Sequence, residues 1–150
     1  MEDNCWMLQG ECCFEPPSGY YGFIYKITDD QGRVYFGKKA FFHNQKKKIT
    51  KKVIKATKTR KRVERVQKDS EWLSYWGSCK PLLQYMEDFP SRISQYKREI
   101  LVLCKDKANL SYWEMVVLVK ENVLFRGDCW NSNVSGKYFK GKIQHYGANY

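Results

Sequence analysis

Phe23-Ile24-Tyr25-Lys26-Ile27 and Val34-Tyr35-Phe36-Gly37, separated by the turn segment Thr28-Asp29-Asp30-Gln31-Gly32, decide the fold of this chain. Both runs are filled by aromatic and β-branched residues, and the Asp-Asp-Gln-Gly tract between them supplies turn residues, so the spacing predicts a β-hairpin. The hairpin puts Tyr25 and Tyr35 on neighbouring strands, where their phenols can project into one site. By itself a pair of tyrosines in a hairpin reads as packing.

The 150 residues suit one domain, 1–150, large enough to bury a core without staples. The first residues are acidic (Glu2, Asp3) and carry only scattered apolar side chains, unlike a secretion signal. The longest apolar run, Met115 to Val119, is far short of a membrane span. A soluble, cytoplasmic protein is expected. Six cysteines stand at 5, 12, 13, 79, 104 and 129. Adjacent Cys12-Cys13 and the lack of a secretion signal argue for reduced thiols. A structural zinc would need Cys5, Cys12 and Cys13 plus a remote ligand such as His43 or His145, and no C-x2-C pair supports it.

The net charge of +11 is concentrated in one place. Lys38 to Lys68 holds fourteen Lys and Arg against one acid, Glu64, so the local excess is +13 and the rest of the chain sums to −2. A basic insert at 45–68 carries Lys46, Lys47, Lys48, Lys51, Lys52, Lys55, Lys58, Arg60, Lys61, Arg62 and Arg65. Such concentration points to a polyanion, nucleic acid first; a solvated loop that orders on nucleic acid is the plainer form of the same reading. An interfacial membrane helix would need an apolar face that the insert lacks. Its Ile, Val and Thr content favours an extended basic hairpin or mobile arm.

Before the hairpin, residues 1–20 read as an irregular lead-in closed by Pro16-Pro17-Ser18-Gly19, with Trp6, Met7 and Leu8 packing on the outside. After the insert, Asp69 and Ser70 suit the cap of a short helical turn over residues 71–76. Pro81 suits the first position of a helix reaching Met86 or Asp88. A strand follows at 96–104, a second helix at 111–121, and a loop-like end with a short strand near Lys142-Ile143. This order gives an α+β fold: a small antiparallel sheet, made of the N-terminal hairpin and a central strand, flanked by helices.

Glu114 lies in the most apolar run, Tyr112 to Val119. A carboxylate buried there needs a metal, a cation or a proton. The bland alternative is a capping box, since Ser111-x-x-Glu114 has that spacing.

Phe23-Ile24-Tyr25, nine further residues and then Tyr35-Phe36-Gly37 resemble the paired signature of the GIY-YIG nucleases, with Phe23 in place of the usual Gly and Phe36 in place of Ile or Val. Trp72-x-x-Tyr75-x-Gly77-Ser78 with Leu82, Arg98-Glu99-Ile100-Leu101, Tyr112-Trp113-Glu114 and Trp130-Asn131 resemble, in order, later blocks of phage-encoded, Seg-like homing endonucleases. The resemblance implies one-metal phosphodiester hydrolysis of DNA. In it Glu114 holds a single Mg2+ or Mn2+, Tyr25 orients or deprotonates the attacking water, and Tyr35 hydrogen-bonds the water or phosphate. Asn131, ahead of Asn133, helps hold the active site. One further position departs from the family, and it bears on the chemistry. An arginine is usual about eight residues beyond the second motif, and Gln45 stands here. Lys38 and Lys39 are the nearest substitutes, with His43 and an arginine of the insert behind them. The missing arginine also leaves open a competing reading, a fold that binds nucleic acid without cutting it. No organic cofactor, no membrane and a monomer or weak dimer are expected.

Overall fold

A computed structural model describes residues 4–144. In chain order it contains β1 (Trp6–Leu8), β2 (Glu11–Cys13), β3 (Gly22–Thr28), β4 (Val34–Ala40), β5 (Phe42–Lys48), α1 (Lys51–Thr57), β6 (Val63–Asp69), α2 (Lys80–Asp88), β7 (Lys97–Cys104), α3 (Lys107–Lys120), β8 (Asn133–Val134) and β9 (Tyr138–Phe139). Short 3-10 turns cover Trp72–Ser74 and Pro90–Gln95.

The hairpin forms as expected. Tyr25 faces Gly37 and Ile27 faces Tyr35 across β3 and β4. Asp29 closes the turn, its Oδ1 accepting from the backbone N–H groups of Gln31 (2.9 Å) and Arg33 (2.8 Å), and Gly32 takes a positive φ of 77° that suits glycine. The hairpin enters a five-stranded sheet of order β2-β1-β7-β3-β4. Central strand β7 pairs antiparallel with β3 and parallel with β1, so the sheet is mixed and larger than hairpin plus one strand. A register shift at Ile24/Tyr25 skips Leu101 on the partner strand, a bulge beside the first motif tyrosine.

Alternation along the strands sorts the core. One face carries Trp6, Phe23, Tyr25, Phe41 and Trp72, with ring centroids of 4.9–5.9 Å between Phe23 and its neighbours Trp6, Phe41 and Trp72. The other face carries Val34 and Phe36 against Leu118 and Val123, and Ile24 against Leu110, so α3 packs there.

The lead-in is not irregular. Gln9 and Gly10 both have positive φ, the signature of a tight hairpin turn, and fold β1 onto β2. Trp6 is fully buried rather than outside, because its indole donates to the Trp72 carbonyl (2.8 Å) and lies edge-on to Phe23. The same turn brings Cys5 and Cys12 into a disulfide, which corrects the expectation of reduced thiols for that pair; Cys13, Cys79, Cys104 and Cys129 are free. Among the described residues no cluster of three or more His, Cys, Asp or Glu forms a metal site; His145 lies outside them.

The basic insert is a hairpin, but Lys51–Thr57 at its tip is helical. The Thr50 hydroxyl accepts from the Val53 N–H at 3.4 Å, and this N-cap outweighs the β-branched composition. The helical turn after the insert is shorter than expected: Glu71, at positive φ, precedes it, and Asp69 accepts from the Glu71 N–H (2.6 Å). Pro81 lies within the first two positions of α2. The last pairing joins Asn133–Val134 to Tyr138–Phe139 rather than involving Lys142-Ile143. No helix among the described residues is long and apolar enough to cross a membrane.

Candidate active site

β4 is the edge strand of the sheet, and the chain returns to seal it. Val34 accepts from the Trp130 N–H (2.8 Å) and donates to the Asp128 carbonyl (2.9 Å). One step further along β4, the Asn131 side chain takes over from backbone. Its Oδ1 accepts from the Phe36 N–H (2.9 Å), and its Nδ2 donates to the Phe36 carbonyl (2.8 Å). A carboxamide has the same donor and acceptor pair as a peptide, so buried Asn131 mimics one more residue of strand. Asn133 does not do this; it closes the turn to Gly136. The hairpin turn fixes the same segment, because Asp29 accepts from the Trp130 indole (3.0 Å) and from Arg33 (2.7 Å). The Arg33 guanidinium lies 4.5 Å from the ring centres of both Tyr85 and Trp130.

Against this sealed edge lies a cavity of about 560 Å³, lined among others by Tyr35, Ser78, Lys80, Glu114, Trp130 and Asn131. Tyr35 reaches it from one face of the sheet and Glu114 from the other. The Tyr35 hydroxyl is 3.4 Å from the Ser78 hydroxyl. Glu114 is on α3, whose N-cap is Asp106, accepting from the Asn109 N–H at 2.8 Å. Helix α3 therefore begins four residues ahead of the expected start, and Glu114 sits mid-helix rather than in a capping box.

Tyr25 is behind the cavity, with its ring 6.1 Å from that of Tyr35 and only 1% of its surface exposed. Burial, then the neighbouring phenols Tyr35 and Tyr75 and the Glu114 carboxylate, push the Tyr25 phenol far above its ordinary range. Burial also raises Tyr35, opposed by its hydrogen bond to Ser78 and reinforced by Glu114. Two glycines make room for this pair. A Cβ on Gly37 would overlap the Tyr25 hydroxyl, and one on Gly77 would lie 2.9 Å from the Tyr35 ring.

The two candidate lysines point to opposite faces. The Lys38 ammonium is 3.6 Å from Glu114 Oε1 and 3.3 Å from the Ser111 hydroxyl. The Lys39 ammonium lies 4.2 Å from the Tyr75 ring centre, and burial lowers its pKa. Neither lysine lines the cavity; Lys80, at the start of α2, does. Sequence reasoning did not single out Lys80. The Ser-Cys-Lys-Pro run at a helix start was a signal for a positive helix end, but not for what it faces. Gln45 is on exposed strand β5, so a strand rather than a helix occupies the position of the usual arginine.

A family model described as "Putative endonuclease segE, GIY-YIG domain" matches residues 6–143. The chain belongs to the GIY-YIG family. Members are nucleases, hydrolases of phosphodiester bonds, and this GIY-YIG chain is one of them. No curated protein and no solved structure matches it. Its two departures from the signature are packing choices: Phe23 fills the aromatic core beside Trp72, and Phe36 fills the second cluster beneath α3.

Proposed function

We propose that the chain is a divalent-metal-dependent DNA endonuclease of the phage-encoded, homing or DNA-degrading kind, working in the cytoplasm of a bacterial host. The observation that carries this reading is the meeting of Tyr35, Glu114 and Asn131 around one open cavity, although they come from a strand, a helix and a late loop.

The donor set fits a hard cation of the Mg2+ or Mn2+ type. Glu114 offers one carboxylate with 20% of its side chain exposed, and such ions take one or two carboxylates and fill their remaining positions with water and phosphate oxygens. A bound ion of this kind supplies charge neutralisation at the phosphate. The chain's own residues do the rest. Tyr35, held by Ser78, donates a hydrogen bond to phosphate or water. Of the two roles expected of Tyr25, deprotonating the water is the one that burial of its phenol opposes; enclosed behind the cavity, it acts by holding the Tyr35 ring in place. Lys38, beside Glu114, stands in for the absent arginine at the phosphate; Lys80 adds positive charge from the α2 side, and Lys39 is left to backbone phosphates. Asn131 keeps β4 in register so that Tyr35 and Glu114 stay opposed. The basic insert, from Lys46 to Arg65, supplies affinity for the DNA backbone.

Supercoiled plasmid incubated with the protein and Mg2+ or Mn2+ tests the reading. Nicking is expected, abolished by chelator and reduced about a hundredfold or more in Glu114→Gln, with duplex binding changed less than about threefold. Nicking undiminished in Glu114→Gln removes the metal-ligand assignment, and metal-independent binding without any cleavage removes the endonuclease.

A further inference from the structure

Strands β5 and β6 form a ribbon of seven cross-strand pairs, from Phe42↔Asp69 to Lys48↔Val63. Apart from partly covered Phe42, every residue of both strands is exposed. A two-stranded ribbon with neither face packed is marginal in water, so this one is built for a partner. Its charge selects a polyanion.

The two faces of the ribbon differ. Directly opposed residues share a face, so Asn44↔Gln67, Lys46↔Arg65 and Lys48↔Val63 lie on one side, and His43↔Lys68, Gln45↔Val66 and Lys47↔Glu64 on the other. Lys47 meets an acid on its side. Lys46 and Arg65 meet each other, a like-charge pair that destabilises the free ribbon. Among the described residues neither has an ion-pair partner. Where this side joins the sheet, Phe42 faces Asp69, whose carboxylate accepts from the Glu71 N–H; from Asn44 to the tip the side carries no acid.

We infer that this side of the ribbon reads base edges in the major groove of duplex DNA, with Asn44, Gln67, Lys46 and Arg65 setting sequence preference rather than only tracking phosphate. This deepens the endonuclease reading and rests on it for the choice of DNA. Strands about 4.8 Å apart form a ribbon that enters a groove about 12 Å wide. Asn and Gln pair with the two exposed edge groups of adenine, and Lys and Arg with those of guanine. Asn44, Lys46 and Lys48 are spaced by two residues, roughly 7 Å apart, which is about two base-pair steps each at 3.4 Å per step. The site read is thus short, about four to six base pairs with adenine and guanine at set positions.

The full chain, with divalent metal chelated, is used to select binders from a random duplex library, beside Asn44→Ala/Gln67→Ala, Lys46→Ala/Arg65→Ala and, on the opposite face, Gln45→Ala/Val66→Ala. None of these side chains is buried, so the sheet is left intact. Wild type enriches a short motif. The amide variant loses its adenine positions while its affinity for bulk duplex falls less than about threefold. The cationic variant loses the guanine positions and binds the wild-type motif about five- to a hundredfold more weakly. The opposite-face variant keeps the motif. No motif in wild type, a motif unchanged in the amide variant, or one equally lost in Gln45→Ala/Val66→Ala overturns the inference. Plasmid cleavage with Mg2+ is scored separately. A chain that selects the motif and cuts nothing sinks the endonuclease and leaves this inference standing; one that cuts without any motif does the reverse.

Discussion

On one face of the five-stranded sheet, Phe23, Tyr25, Phe41 and Trp72 are almost completely enclosed and meet edge-on or tilted. In the ribbon and the helix at its tip no residue is fully buried, and only Phe42, where the ribbon leaves the sheet, packs on the core. The first region derives its stability from its own interior; the second has charge and shape but nothing to pack against. Catalytic groups need positions fixed to fractions of an ångström, and the three residues proposed for that role, Tyr35, Glu114 and Asn131, are all rooted in the first region. Groups proposed to meet a long polyanion need reach and charge, and the lysines and arginines that offer both sit in the second.

Substitutions in the two regions should separate this division sharply. Trp72→Ala is expected to cost about 3–5 kcal/mol in urea unfolding, against less than about 0.5 kcal/mol for Val66→Ala; similar costs would mean that the ribbon packs on something. Deleting residues 46–62 is expected to weaken duplex binding about a hundredfold near 150 mM salt and flatten its salt dependence, while the thermal midpoint moves by only a few degrees. A salt slope that survives the deletion would move the DNA contact onto the sheet region. Gly37→Ala should cost about 1–3 kcal/mol, because the new Cβ meets the Tyr25 hydroxyl and backbone must move. The smallest effect is in alkali. Tyr25 and Tyr35 have raised folded-state pKa values, so their contribution to stability is full below the unfolded value of about 10 and falls as pH rises above it. Urea midpoints between about pH 9 and 11 should decline less steeply in Tyr25→Phe; an unchanged slope would show that the phenol is not enclosed.

Much of this was legible in the sequence, for physical reasons. The β3–β4 hairpin carries strand alternation and turn chemistry, α3 shows as an apolar run bounded by asparagines, and the Tyr35, Glu114 and Asn131 positions were singled out by ordered blocks. Strand β1 escaped because it has three residues and its partner β7 lies some ninety positions away, with a Gln9-Gly10 turn in place of the more recognisable Asn-Gly. The disulfide escaped with it, since Cys5 and Cys12 meet only once that hairpin is drawn. Helix α1 was hidden by β-branched composition that one Thr50 cap overrides. Lys80 and Ser78 could not be assigned to the cavity, because nothing local says which way the start of α2 faces. The buried Arg98, pushed down to about 10 by burial, was legible as a motif but not as a clamp. It lies 4.7 and 4.4 Å from the ring centres of Trp6 and Trp76 and donates to the carbonyls of Asn4, Leu73 and Tyr75.

The carboxamide of Asn131 also bears on when, during synthesis, the cavity is completed. Its two bonds to Phe36 span 95 positions of sequence. A ribosome-bound fragment that stops before Asn131 has both motif tyrosines and the Glu114 carboxylate, yet β4 still has a bare edge and the cavity lacks a wall. Chains that stop short of Asn131 therefore lack the seal at Phe36, and the cavity is complete only when almost the whole described chain has emerged.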